Sequence, residues 1–159
     1  MSGTSADGID IALIETNGRD NIILKSSDFY PFSRKFREKI KKNFKKNFNK
    51  ENLNKKEIKE LEKEFTDINY IAIKNFFKKK KINKDKVDVI GFHGQTISHK
   101  PELGYSYQIG DSQRLANLLK IKVVSNFRSN DVKNGGEGAP LTPIFHYYLT
   151  KKIKKKICF

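Results

Sequence analysis

Tryptophan is missing from this 159-residue sequence, cysteine and methionine occur once each, and there are only four prolines. One thiol, Cys158, makes neither an intramolecular disulfide nor a cysteine-only metal cage. No apolar run approaches the roughly 20 residues needed to cross a bilayer, and the opening residues lack a basic segment followed by an apolar one. The expectation is a soluble cytoplasmic protein. Arginine is also scarce. Only Arg19, Arg34, Arg37, Arg114 and Arg128 contribute to the 33 basic residues that give a net charge of +15, and the rest are lysines. Nucleic-acid and phosphate recognition lean on arginine forks, whereas a lysine excess often only solvates a surface. Lysine, asparagine and isoleucine are inflated together, which reads as a compositional bias of the source.

What is present allows one domain with a real core. Ile9, Ile11 and Leu13 alternate with Asp10, Ala12 and Ile14, a strand with one apolar face. Asn17-Gly18 marks a turn, Asn21 to Phe29 returns as a second strand, and residues 7–29 read as a β-hairpin ended by Pro31. Ser33 is placed to cap a helix running to about Phe48, with Phe36, Ile40, Phe44 and Phe48 four apart. A longer helix is predicted from about Asn54 to Lys80, its buried stripe formed by Ile58, Leu61, Phe65, Ile68, Ala72 and Phe76. Strands follow at Val87–Phe92, Tyr105–Ile109 and Ile121–Val124. Between the last two, Asp111 caps a helix whose apolar face is Leu115, Leu118 and Leu119. Pro143 falls in the first turn of a short helix through Tyr148, and Lys151 to Phe159 alternates like a strand.

Three stretches carry chemistry. Gly3-Thr4-Ser5-Ala6-Asp7-Gly8-Ile9-Asp10 packs glycines, hydroxyls and carboxylates ahead of the first strand. Such a turn brings backbone N–H groups close to a phosphate, and Asp7 or Asp10 suits a hydrated Mg²⁺. A plain polar turn between two strands fits the same residues. His93-Gly94-Gln95-Thr96, with His99 beyond, lies just past a strand end, where ligands commonly sit in α/β sheets. The His93–His99 spacing matches no helical zinc pair. Arg128 and Asp131 precede Gly135-Gly136-Glu137-Gly138-Ala139-Pro140, a loop too glycine-dense for an ordinary connection yet neither a Walker A loop nor a dinucleotide fingerprint.

Five motifs in order, MSGTSADGID, GFHGQTISH, YQIGD, VVSNFRSNDV and GGEGAPLTPIFH, span Met1 to His146 and closely resemble the anhydro-N-acetylmuramic acid kinases. The resemblance implies an α/β, actin-like (ribonuclease-H-like) ATPase fold. It also implies use of ATP and Mg²⁺ to open the 1,6-anhydro ring of a recycled cell-wall sugar and phosphorylate its O6. On this basis residues 1–159 are expected to be the N-terminal lobe of a two-lobed kinase, with mixed sheet and flanking helices, incomplete at both ends. Gly3 to Asp10 corresponds to the family's ATP-phosphate loop. The sugar pocket corresponds to His93, Gly94, Gln95, Thr96, Arg128, Asp131, Gly136, Glu137 and Gly138. A cytoplasmic enzyme acting on a small sugar, and a homodimer when full length, are implied as well.

Two departures stand out. Asn126 takes a position where the family usually has aspartate, and Ala6 replaces a commoner leucine. The family's Asp-Thr-Gly-Pro-Gly-Asn motif, which resembles the source of the activating base, is expected beyond Phe159, so no catalytic base is assigned here. Two other readings stay open: a lobe that binds sugar or phosphate without chemistry, and a basic nucleic-acid-binding protein resting on charge alone.

Overall fold

The computed structural model describes residues 5–44 and 56–150. Gly3, Thr4, the helical turn predicted around Phe48, the start of the second helix at Asn54 and the strand predicted over Lys151–Phe159 lie outside them.

The chain opens with an antiparallel hairpin, β1 (Gly8–Thr16) and β2 (Ile22–Pro31), two residues longer at its far end than the sequence suggests. Its turn is organised by Asn17, whose Oδ1 accepts from the backbone N–H groups of Arg19, Asp20 and Asn21. The alternation predicted for β1 is the alternation observed. Ile9 is buried and Ile11 and Leu13 are partly buried, while Asp10, Ala12 and Ile14 face outward. Ser33 caps α1 (Arg34–Phe44), its Oγ accepting from the Phe36 N–H at 3.2 Å. Helix α2 (Lys56–Lys79) buries Ile58, Leu61, Phe65, Ala72 and Phe76 as expected, with Ile68 partly buried.

A 3-10 turn at Lys84–Lys86 leads into β3 (Val89–Phe92), which pairs in parallel with β6 (Lys122–Ser125). Between them lie the antiparallel pair β4 (Gln95–Lys100) and β5 (Tyr105–Ile109) and the helix α3 (Ser112–Leu119). Short helices α4 (Ser129–Lys133) and α5 (Thr142–Thr150) follow. The chain is mixed α/β as expected, but in place of one mixed sheet the described residues hold three separate two-stranded sheets, one parallel and two antiparallel.

Aromatic rings join these pieces. Phe32, after β2, meets Phe36 of α1 at 5.1 Å and Phe65 of α2 at 6.2 Å, and Phe65 stacks on Phe92 of β3 at 6.0 Å. Each such pair adds about 0.5–1.5 kcal/mol beyond its buried area. The last ring of the series belongs to the residue immediately before His93, so the core fixes where β3 delivers that histidine.

Candidate functional site

Parallel pairing sets the site. Phe92 lies opposite Ser125, so the chains leaving β3 and β6 emerge side by side, carrying His93 and the segment Asn126–Arg128 to one edge. There Arg128 Nη2 lies 3.1 Å from His93 Nε2, and His93 Nδ1 lies 3.0 Å from the Gly94 carbonyl. A carbonyl only accepts, so Nδ1 carries the proton and Nε2 accepts from the guanidinium. Burial, then the Arg128 charge, hold the imidazole below its ordinary pKa. His93 is therefore neutral at pH 7.

Arg128 is half-buried, and burial lowers its pKa from the usual arginine value without threatening its charge. Its Nε is buried with no hydrogen-bond partner. Among the described residues no carboxylate pairs with it. A cation left in this way, its donors at one edge of a parallel pair, is suited to an anionic ligand group.

The glycine loop packs directly on α4. Asp131 Oδ2 accepts from the Gly138 N–H at 2.7 Å, and the Asp131 carbonyl accepts from the Gly136 N–H at 2.9 Å. A Cβ on Gly138 would lie 2.7 Å from Val132 Cγ2 and 3.3 Å from Arg128 Cβ, in a backbone with φ +66°. His93, Arg128, Asp131, Gly136 and Gly138 are thus brought into one neighbourhood, with Glu137 exposed on the loop. Asp131 holds the loop through Gly138, and its carboxylate is to that extent committed. Asn126 adopts φ +61° and its Oδ1 accepts from Ser129 Oγ, a left-handed position that asparagine tolerates well.

His93-Gly94-Gln95-Thr96, expected just past a strand end, itself turns straight into a further strand. Strand β4 begins at Gln95, and both Gln95 and Thr96 are buried. Polar residues dominate QTISHK, and its pairing with β5 overrides that weak local signal. His99 is exposed on β4, its Nδ1 3.0 Å from Ser106 Oγ, so it stands apart from the His93 pair. Gly94, with φ +73°, makes the tight passage into β4 possible, since a Cβ there would sit 2.6 Å from the Ile109 carbonyl oxygen.

YQIGD is a junction rather than a wall of the site. Glu62 Oε1 accepts from the Gly110 N–H at 3.1 Å, and Thr66 Oγ1 accepts from the Asp111 N–H at 3.0 Å while donating to the Glu62 carbonyl. Asp111 caps α3 by accepting from the Arg114 N–H, and Arg114 pairs with Asp67 at 2.8 Å. Tyr107, half-buried near Glu62, has its pKa pushed up to about 12, by burial first and then by the Glu62 charge. Glu62, Thr66 and Asp67 went unremarked in the sequence because their partners lie 45–48 residues away.

In the opening turn, Ser5 Oγ donates to Asp7 Oδ1 at 2.7 Å, which with local backbone N–H groups lowers the Asp7 pKa. Asp7 and Asp10 are both exposed at the head of β1. Two exposed carboxylates match what Mg²⁺ asks of a protein when water and phosphate oxygens supply its other ligands. Ala6 is fully buried with φ +49°, and Gly8 approaches Phe29 and Tyr30 too closely for any side chain.

A mixed α/β chain with a polar site at the carboxyl ends of parallel strands belongs to a broad class of ligand-binding and enzymatic folds. The family model for anhydro-N-acetylmuramic acid kinase matches residues 1–158, and the chain belongs to that family. Relatives named anhydro-N-acetylmuramic acid kinase include one from Zymomonas mobilis, 42% identical over 94% of this chain and 42% of its own length. One from Rhizobium etli is 38% identical over 100% and 44%. One from Pelagibacter ubique is 40% identical over 99% and 42%. The chain therefore spans less than half the length of these relatives.

Proposed function

We propose that this chain is the N-terminal lobe, of actin-like fold, of an ATP-dependent kinase acting on anhydro-N-acetylmuramic acid in the recycling of cell-wall sugar. The observation that carries the reading is the half-buried Arg128 cation beside a neutral His93, within a chain matched to this family along almost its whole length. A muramic acid differs from a plain amino sugar by a lactyl carboxylate. Arg128 supplies the cation for that carboxylate, His93 holds the guanidinium through Nε2, and the Gly136–Gly138 loop approaches closely enough to shape the pocket. Gln95 and Thr96 contribute from inside β4. In the opening turn, Gly3 to Asp10 is the phosphate-binding segment, and Asp7 or Asp10 would hold Mg²⁺. When bound, ATP and Mg²⁺ supply the transferable phosphoryl group and neutralise its developing charge. The chain's own part is positioning and charge complementarity.

Calorimetric titration of the 159-residue chain tests the sugar reading. Anhydro-N-acetylmuramic acid is expected to bind, the corresponding anhydro-N-acetylglucosamine, which lacks the carboxylate, about tenfold or more weaker. Arg128→Gln should abolish that difference. Equal binding of both sugars by the unsubstituted chain would sink the assignment of Arg128 to the carboxylate.

A further inference from the structure

At the opposite edge of the β3–β6 pair, where both strands begin, the carboxyl ends of α2 and α3 converge on a cavity of about 530 Å³. Four-residue strands separate that starting edge from the His93–Arg128 edge by about 10–13 Å. Its apolar wall includes Phe77, Ile82 and Leu118. Leu118, expected in the helix core with Leu115 and Leu119, is instead 38% exposed on this wall. Lys74, Lys78, Lys81 and Lys84 surround it, and among the described residues no acidic side chain lines it.

The lysine-rich composition of the chain does not by itself account for this. The first half of α2 mixes its lysines with Glu57, Glu60, Glu62, Glu64 and Asp67, whereas residues 70–84 hold six lysines and no carboxylate. Compensation of helix dipoles does not account for it either. Two helix C-termini present about one negative charge together, against four cations. Lys79, which points elsewhere, finds Asp28 at 2.7 Å. The cavity lysines have no such partner among the described residues; Lys74 instead lies 5.3 Å from the centre of the Tyr70 ring.

We propose that this cavity is a binding site for a small organic phosphate with a flat apolar body, of the mononucleotide class. The phosphate sits among the lysine ammonium groups, which act as point charges, and the body lies against Phe77, Ile82 and Leu118. The volume falls within the roughly 300–1,000 Å³ typical of small-molecule sites. A polynucleotide is the weaker match, because among the described residues no arginine lines the cavity.

Residue-resolved NMR titration of the 159-residue chain with adenosine monophosphate, and separately with inorganic phosphate, decides the matter. Adenosine monophosphate should shift Phe77, Ile82 and Leu118 with a Kd below about 1 mM, and phosphate alone should bind more weakly. The triple variant Lys74→Gln, Lys78→Gln, Lys84→Gln keeps helix propensity and should weaken binding about tenfold or more through three lost charge contacts. Absent cavity shifts, shifts confined to Ser5–Asp10, or an unchanged Kd in the variant would each overturn the site. So would cavity shifts produced by a DNA oligonucleotide but not by adenosine monophosphate, which would make it a polyanion surface.

Discussion

His93 and Arg128 form one unit, and their coupling is measurable. Burial and the neighbouring cation keep the folded pKa of His93 below its ordinary 6.5. The unfolded chain then takes up a proton that the folded chain declines, so this contribution to stability is complete above about pH 6.5 and fades as pH falls towards the folded pKa. Proton NMR of the imidazole should show the depressed titration directly. In Arg128→Gln it should move back towards 6.5, and an unchanged value would mean that burial alone sets it. Gly94 offers a purely structural counterpart. Alanine there combines a left-handed backbone with a Cβ 2.6 Å from the Ile109 carbonyl, so Gly94→Ala should cost about 2–4 kcal/mol in denaturant unfolding. Both residues were legible in the sequence as members of a polar motif at a strand end. The sharp turn that Gly94 permits was legible too, but the histidine's duty was not, because its tautomer and its partner depend on the segment brought in after β6.

Among the larger elements, α2 was the easiest to read and still held a surprise. Its apolar stripe at three- and four-residue spacing identified the buried face, and five of the six named positions are fully buried. The polar residues interrupting that stripe, Glu62 and Thr66, secure the turn between β5 and α3. Nothing in their local sequence announces this, since a threonine in a helix is uninformative until its distant partner is known. Thr66→Val keeps the shape and removes the acceptor for the Asp111 N–H, so denaturant unfolding should show a loss of about 1–3 kcal/mol, with Thr66→Ser recovering most of it. Loss of nothing would mean that water replaces the hydroxyl. Strand β4 is the converse case. Its residues alternate too weakly to declare a strand, and only the ladder with β5 makes them one.

At the scale of the whole molecule, the described residues leave one side of the parallel pair bare. Val89 and Val124 are each about half exposed on one face of β3–β6, with Phe127 beside Gly91 on that face. Parallel strands are ordinarily covered on both faces, and the relatives carry more than twice this length of chain. In our reading the second lobe supplies both the missing cover and the base that activates water. General-base catalysis is worth about 10²–10⁴-fold. On the near side His93 is committed to Arg128 and the Asp131 carboxylate to Gly138, so neither replaces that base without breaking the site. The 159-residue chain, given anhydro-N-acetylmuramic acid, ATP and Mg²⁺, should therefore form no detectable sugar phosphate even while it binds the sugar. Mass spectrometry of the reaction mixture checks this, and ATP-dependent product from the purified chain would show that the described lobe carries its own catalytic base.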